Sequence, residues 1–166
     1  NNSIIKTNTG NFDVKGGIVF VDSSASVDFI NTNFTNNMLD LENNDANGGA
    51  VYVNSGDVSF SNCEFIGTNA ISNSQYAKGG AVYLNEGNVT FNGCLLDSNA
   101  GSTSGTRNGG SLYHANGEMF VNNSLLTDNS SSLDGGAIYS SGTVNLDNTT
   151  LSSNSATADG GAIYSS

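Results

Sequence analysis

The chain has 166 residues and a formal net charge of −11, with Lys6, Lys15, Lys78 and Arg107 as its only cations. So few Lys and Arg cannot neutralise a phosphate backbone or hold an anionic bilayer, which argues against nucleic acid and membrane surfaces as partners. Asn (27 residues) and Gly (21) dominate, Pro and Trp are absent, and no apolar run approaches the roughly 18 residues of a membrane-spanning helix.

The first predicted strand lies in NSIIKTN (2–8): a turn Asn, a small residue, a free position, a large apolar residue, two free positions and a closing Asn. A variable stretch over 9–15 leads to a Gly-Gly pair at Gly16, followed by Ile18, Val19 and Phe20 and then by an alternating segment at 27–29. The same order then repeats. Gly-Gly recurs at Gly48, Gly79, Gly109, Gly135 and Gly160, at intervals of 32, 31, 30, 26 and 25 residues, the range in which solenoid repeats fall. Each pair precedes a small, an aliphatic and an aromatic residue: AVY (50–52 and 81–83), SLY (111–113) and AIY (137–139 and 162–164). The alternating segment returns as VSF (58–60), VTF (89–91), MFV (119–121) and VNL (144–146). The NSIIKTN pattern returns as NTNFTNN (31–37), GCLLDSN (93–99), NSLLTDN (123–129) and NTTLSSN (148–154), while NCEFIGTN (62–69) reads as carrying one extra residue.

Segments this short with period-two alternation are strands, and each is too short to stand alone. Coiling sets each beside its counterpart one turn later, so that like stacks on like in parallel sheets about 4.8 Å apart from strand to strand. The expected fold is all-β, a right-handed parallel β-helix solenoid of about five coils with three short strands per coil. It is expected as a single segment over 1–166, cut from a longer repeat array. The interior ladders are Val19, Val51, Val82, Leu112, Ile138 and Ile163; Phe29, Phe60, Phe91, Val121 and Leu146; and Ile5, Phe34, Phe65, Leu96, Leu126 and Leu151. A structural ladder of Asn2, Asn31, Asn62, Gly93, Asn123 and Asn148 marks one corner, where Asn and Gly interchange because both tolerate positive φ.

The pairing of Gly-Gly-Ala-(Ile/Val) at 48–51, 79–82, 135–138 and 160–163 with Phe-x-x-Asn at 34–37 resembles the repeats of the chlamydial polymorphic outer membrane proteins. It is similar also to the adhesin-like β-helix proteins of archaea and bacteria. Ser111 departs from the pattern, and most third strands carry Leu for Phe. The resemblance implies a passenger-type region at the cell surface with an adhesive role. The family's membrane barrel is not in this sequence.

Chemistry would collect on the variable stretches 9–15, 38–47, 70–78, 100–108, 130–134 and 155–159, which read as loops along one edge holding Lys15, Gln75, Tyr76, Lys78 and Arg107. They serve either as a binding edge or as drifting turns. Tyr52, Tyr83, Tyr113, Tyr139 and Tyr164 form an aromatic stripe that either binds glycan rings and neighbouring copies or supports the coil under folded-over loops. Cys63 and Cys94 share one repeat position within disulfide reach, but an in-register bridge is strained, which favours two small buried thiols. Asp134 and Asp159 stack before Gly-Gly and read as turn residues rather than a glycosidase pair or cation site. The lone His114 reads as a rim residue. No catalytic or metal site and no cofactor is expected. The leading function is a non-enzymatic extracellular surface protein holding a loop edge to a glycan or protein. The alternatives are a β-helix polysaccharide lyase or glycosidase, using Lys78 and Arg107 on successive coils, and a self-assembling extracellular fibre.

Overall fold

Alternation in the segment after each Gly-Gly pair yields a six-stranded parallel sheet, called here the first sheet. Its strands are Val19–Val21, Val51–Val53, Val82–Leu84, Leu112–His114, Ile138–Ser140 and Ile163–Ser165. The computed structural model describes residues 3–6, 9–10, 15–22, 26–41, 44–73, 76–101 and 106–166. The second sheet stacks Ser26–Ile30, Asp57–Ser61, Asn88–Asn92, Glu118–Asn122 and Thr143–Asp147, and the third stacks Ser3–Lys6, Thr32–Thr35, Glu64–Ile66, Leu95–Asp97, Leu125–Thr127 and Thr150–Ser152. Every pairing is parallel and joins one coil to the next, so the protein is a parallel β-solenoid.

The register is the one the repeats imply. Val51 pairs with Val82 and Val82 with Leu112; Phe29 pairs with Phe60 and Phe60 with Phe91; Phe34 pairs with Phe65 and Leu96 with Leu126. These ladders meet in one apolar core in which Phe34, Phe60, Phe65, Phe91, Leu96, Leu112, Leu126 and Ile138 are wholly buried. Phe34 stacks on Phe65 at 4.5 Å and Phe60 on Phe91 at 5.0 Å, while rings of different ladders meet edge to face, as at 5.1 Å between Phe60 and Phe65. Both geometries suit the aromatic quadrupole, so ladder stacking adds to area burial.

The variable stretches differ from the expected loops. They carry a fourth sheet of Thr9–Gly10, Met38–Leu41, Asn69–Ser72, Ala100–Gly101, Ser130–Ser131 and Ser155–Ala156, so each coil has more than three strands. The longer coils add a short fifth sheet of Ala46–Asn47, Tyr76–Lys78 and Thr106–Asn108. Leu39, Leu41, Ala46, Ala70 and Ala77 close a second small core between these two sheets. Once the three inner sheets set the coil spacing, any backbone leaving them finds its copy one rung away and pairs with it, whatever its side chains.

The Gly-Gly pair is a double steric requirement. The first Gly takes φ of +64 to +72° in all six coils. The second backs onto the next coil: a Cβ on Gly80 would lie 2.2 Å from the Gly110 carbonyl oxygen. No side chain fits there.

Candidate binding edge

Because Val51, Val82, Leu112 and Ile138 point inward, the aromatic residue after each one points away from the main core. Phe20, Tyr52, Tyr83, Tyr113, Tyr139 and Tyr164 stand in register, with ring centroids 4.8–5.4 Å apart and planes within 21°. Each ring largely covers the next, so the stripe presents ring edges and hydroxyls outward. A sugar ring meets few open aromatic faces there.

The covering of this stripe changes along the axis. Tyr52 and Tyr83 are 4% and 7% exposed, Tyr113, Tyr139 and Tyr164 are half-buried, and Phe20 is 48% exposed. Strands of the fifth sheet directly precede the coils that begin at Gly48, Gly79 and Gly109. Lys15 Nζ sits 5.3 Å from the Tyr52 ring centroid, and Lys78 Nζ sits 5.5 Å from that of Tyr113 and 5.4 Å from that of Tyr76, both within cation–π reach. Burial raises the pKa of Tyr52, helped by the Asp22 carboxylate. It raises that of Tyr83 further, with Tyr52, Tyr113 and Asp45 adding to it, and that of Tyr113 with Tyr139 adding. Loops therefore fold over one part of the stripe and leave another part open.

Of the expected edge residues, the structure brings Tyr76, Lys78 and Tyr113 together. Tyr76 is 49% exposed, and its backbone N–H donates to Asp45 Oδ1 at 3.2 Å. Arg107 pairs in register with Ala77, and Lys78 pairs with Asn108, so the two cations do not share a rung. Gln75 lies outside the described residues.

At the Asn corner the described residues share one left-handed conformation. Asn31, Asn62, Asn123 and Asn148 take φ of 45–51°, and Gly93 takes 65°. Asn148 Nδ2 donates to Asn123 Oδ1 at 2.9 Å, while Asn123, facing Gly93 on the next rung, reaches Asn92 Oδ1 at 3.0 Å. Asn2 lies outside the described residues. The repeat also holds a second polar column, and that one is buried: Asn37, Thr68, Asn99 and Asn129, followed by the half-buried Asn154, which are the closing residues of Phe/Leu-x-x-Asn. Asn99 Nδ2 donates to the Phe65 carbonyl at 2.9 Å, and Asn99 Oδ1 accepts from Thr68 N at 2.9 Å and Oγ1 at 2.6 Å. Asn129 and Asn154 repeat this on Leu96 and Leu126, each at 2.9 Å. Thr68 occupies the Asn position of its coil and Asn69 pairs with Ala100, so residues 62–69 hold no extra residue.

Cys63 and Cys94 are free and buried, and they do not form the possible disulfide. Each thiol donates to the carbonyl two residues back, Ser61 at 3.4 Å and Asn92 at 3.6 Å, and to one in the preceding coil, Phe29 at 3.4 Å and Phe60 at 3.3 Å. Thr149 Oγ1 does the same with Asp147 and Val121 at 3.0 and 2.8 Å, so Cys here replaces a Ser/Thr hydroxyl. Interaction with the Cys63 thiol, helped by burial, raises the pKa of Cys94, and the same interaction lowers that of Cys63.

Asp134 Oδ1 accepts the backbone N–H of Asp159 at 3.1 Å, as Asn108 Oδ1 accepts that of Asp134 at 3.3 Å. Each of these groups caps the next coil. Among the described residues, no group of three or more His, Cys, Asp or Glu converges as a metal site.

His114 is not at the rim. It is wholly buried in register between Leu84 and Ser140, with Nδ1 2.9 Å from Ser140 Oγ and Nε2 without a partner at hydrogen-bonding geometry. Burial lowers its pKa, against the opposing pull of the Asn116 and Gly117 backbones. The missed signal is its place two residues after Leu112, in phase with Val53 and Leu84.

Parallel sheets, a Gly-Gly corner and a buried carboxamide column define a parallel β-solenoid written from one repeated unit. Its last two units are more specific: residues 122–141 and 148–166 match the family model of the Chlamydia polymorphic membrane protein repeat. No curated protein and no solved structure matches the sequence.

Proposed function

We propose that this protein is a non-enzymatic segment of a cell-surface repeat protein whose solenoid holds one edge rigid for binding a glycan or protein outside the cell. The observation that carries the proposal is the second core. Leu39, Leu41, Ala46, Ala70 and Ala77 convert stretches of variable length into ordered strands that hold Tyr76 exposed and Lys78 against Tyr113. An edge ordered in the free protein binds without paying to freeze loops, and parallel copies of a repeat add avidity. The match to a polymorphic membrane protein repeat supports the surface location.

The test is retention of beads densely coated with the purified protein on glycan arrays and on cultured cells. Retention that falls about tenfold in Tyr76→Ala and Lys78→Ala is expected for an edge whose few anchoring residues carry most of the binding. Beads that stick to no surface would sink the proposal. So would breakdown of polygalacturonate that disappears in Arg107→Ala, the behaviour of a polysaccharide lyase.

A further inference from the structure

Four Asn-Gly dipeptides occur in the sequence, at 47–48, 92–93, 108–109 and 116–117. Asn-Gly is prone to attack by the glycine nitrogen on the neighbouring carboxamide, because Gly places no side chain in the way and bends freely. In three of the four, the solenoid ties that nitrogen down. Gly48 N–H donates to the Lys78 carbonyl at 2.9 Å, Gly93 to Asn122 at 3.0 Å, and Gly109 to Asp134 at 3.0 Å. Two of the three carboxamides are held as well: Asn92 Oδ1 accepts from Asn123 Nδ2, and Asn108 Oδ1 accepts from Asp134 N.

The fourth pair is built differently. It lies in the turn between the first and second sheets, where Asn116 is exposed and Gly117 has φ +100°. Gly117 N–H donates to Oδ1 of Asn116 itself, at 2.9 Å. Cγ lies one carbonyl bond, about 1.2 Å, from that oxygen. The Gly117 nitrogen therefore rests against the very carboxamide it would attack, with no other coil's carbonyl holding it away.

We infer that Asn116 is a self-modifying site that converts spontaneously to aspartate and isoaspartate while the other three Asn-Gly pairs stay intact. Solvent base removes the Gly117 amide proton. The nitrogen forms a bond to Asn116 Cγ, the bond from Cγ to Nδ2 breaks, and the departing Nδ2 takes up a proton and leaves as ammonia. Water then opens the resulting succinimide at either carbonyl, giving aspartyl or isoaspartyl and a new carboxylate. The isoaspartyl product adds a methylene to the backbone at a crowded turn, since a Cβ on Gly117 would lie 1.9 Å from the Gly87 carbonyl oxygen. The reaction thus puts charge and slack into an inter-sheet turn two residues from the buried His114.

The experiment incubates the folded protein in heavy-oxygen water at mildly alkaline pH and maps the label by peptide mass spectrometry. Label at residue 116 is expected at least about tenfold faster than at 47, 92 or 108, the advantage of an aligned nucleophile. In urea the four rates should converge. The Asn116→Gln variant, in which the longer side chain disfavours ring closure, should leave that peptide unlabelled. Equal rates at all four sites in the folded protein, or label at 92 or 108 ahead of 116, would overturn the inference.

Discussion

The coils that begin at Gly48 and Gly79 and the one that begins at Gly135 share every inner-sheet ladder, yet they treat the same aromatic position differently. Tyr52 and Tyr83 are buried, whereas Tyr139 is half-open. The coils also differ in length: intervals of 30–32 residues hold a strand of the fifth sheet and intervals of 26 and 25 do not, with Tyr113, half-buried behind the shortest of the long intervals, between the two cases. The inner three sheets are a fixed frame, and the residues between the third strand and the next Gly-Gly decide what the frame shows to solvent.

Four measurements would break or sharpen this contrast. The largest effect belongs to the frame. Gly80→Val forces a side chain into the Gly110 carbonyl, and it should cost about 4 kcal/mol or more, or prevent folding, in thermal unfolding. Next comes Asn99→Ala, which strands the Phe65 carbonyl and the Thr68 amide in the core and should cost about 3 kcal/mol in urea unfolding.

Leu39→Ala should cost about 2–3 kcal/mol and act on only one half of the contrast. Folding holds Tyr52, Tyr83 and Tyr113 above their ordinary pKa of 10.0. Above pH 10 the fold therefore keeps protons that the unfolded state loses, and stability drops as pH rises. Leu39→Ala should bring the titration of Tyr52 and Tyr83 down toward 10 in ultraviolet absorbance.

The smallest effect is acidic. His114 titrates below its ordinary 6.5 in the fold, so below that pH the unfolded state takes up a proton that the folded state refuses. Stability should decline from pH 7 toward pH 5, and His114→Leu, which continues the Val53–Leu84 ladder, should flatten that slope in denaturant titrations.

The frame was legible because its residues recur: Val51, Val82 and Leu112, or Phe60 and Phe91, announce one position in successive coils. The fourth and fifth sheets were not, because strands such as Ser130–Ser131 and Ala46–Asn47 have no apolar alternation of their own and pair only because neighbouring backbone is in reach. The buried carboxamides were visible as letters but not as chemistry. Asn99 looks like a loop-bounding residue until the Phe65 carbonyl is seen beneath it. Thr68 looks like part of an insertion because Thr stands where Asn is expected. On the candidate edge, the letters marked Tyr76 and Lys78, but only the fold shows that Lys78 meets Tyr113 and that Arg107 falls a register away.

The carboxamide column has a direction. The coils that carry Asn99, Asn129 and Asn154 each grip the one before at two points, offering an oxygen to its N–H and a nitrogen to its carbonyl, so each of these turns arrives with its own clasp. A gene for such a protein can gain or lose whole turns of this kind and keep the remaining clasps closed, so the length along the axis can drift while the inner three-sheet frame stays constant.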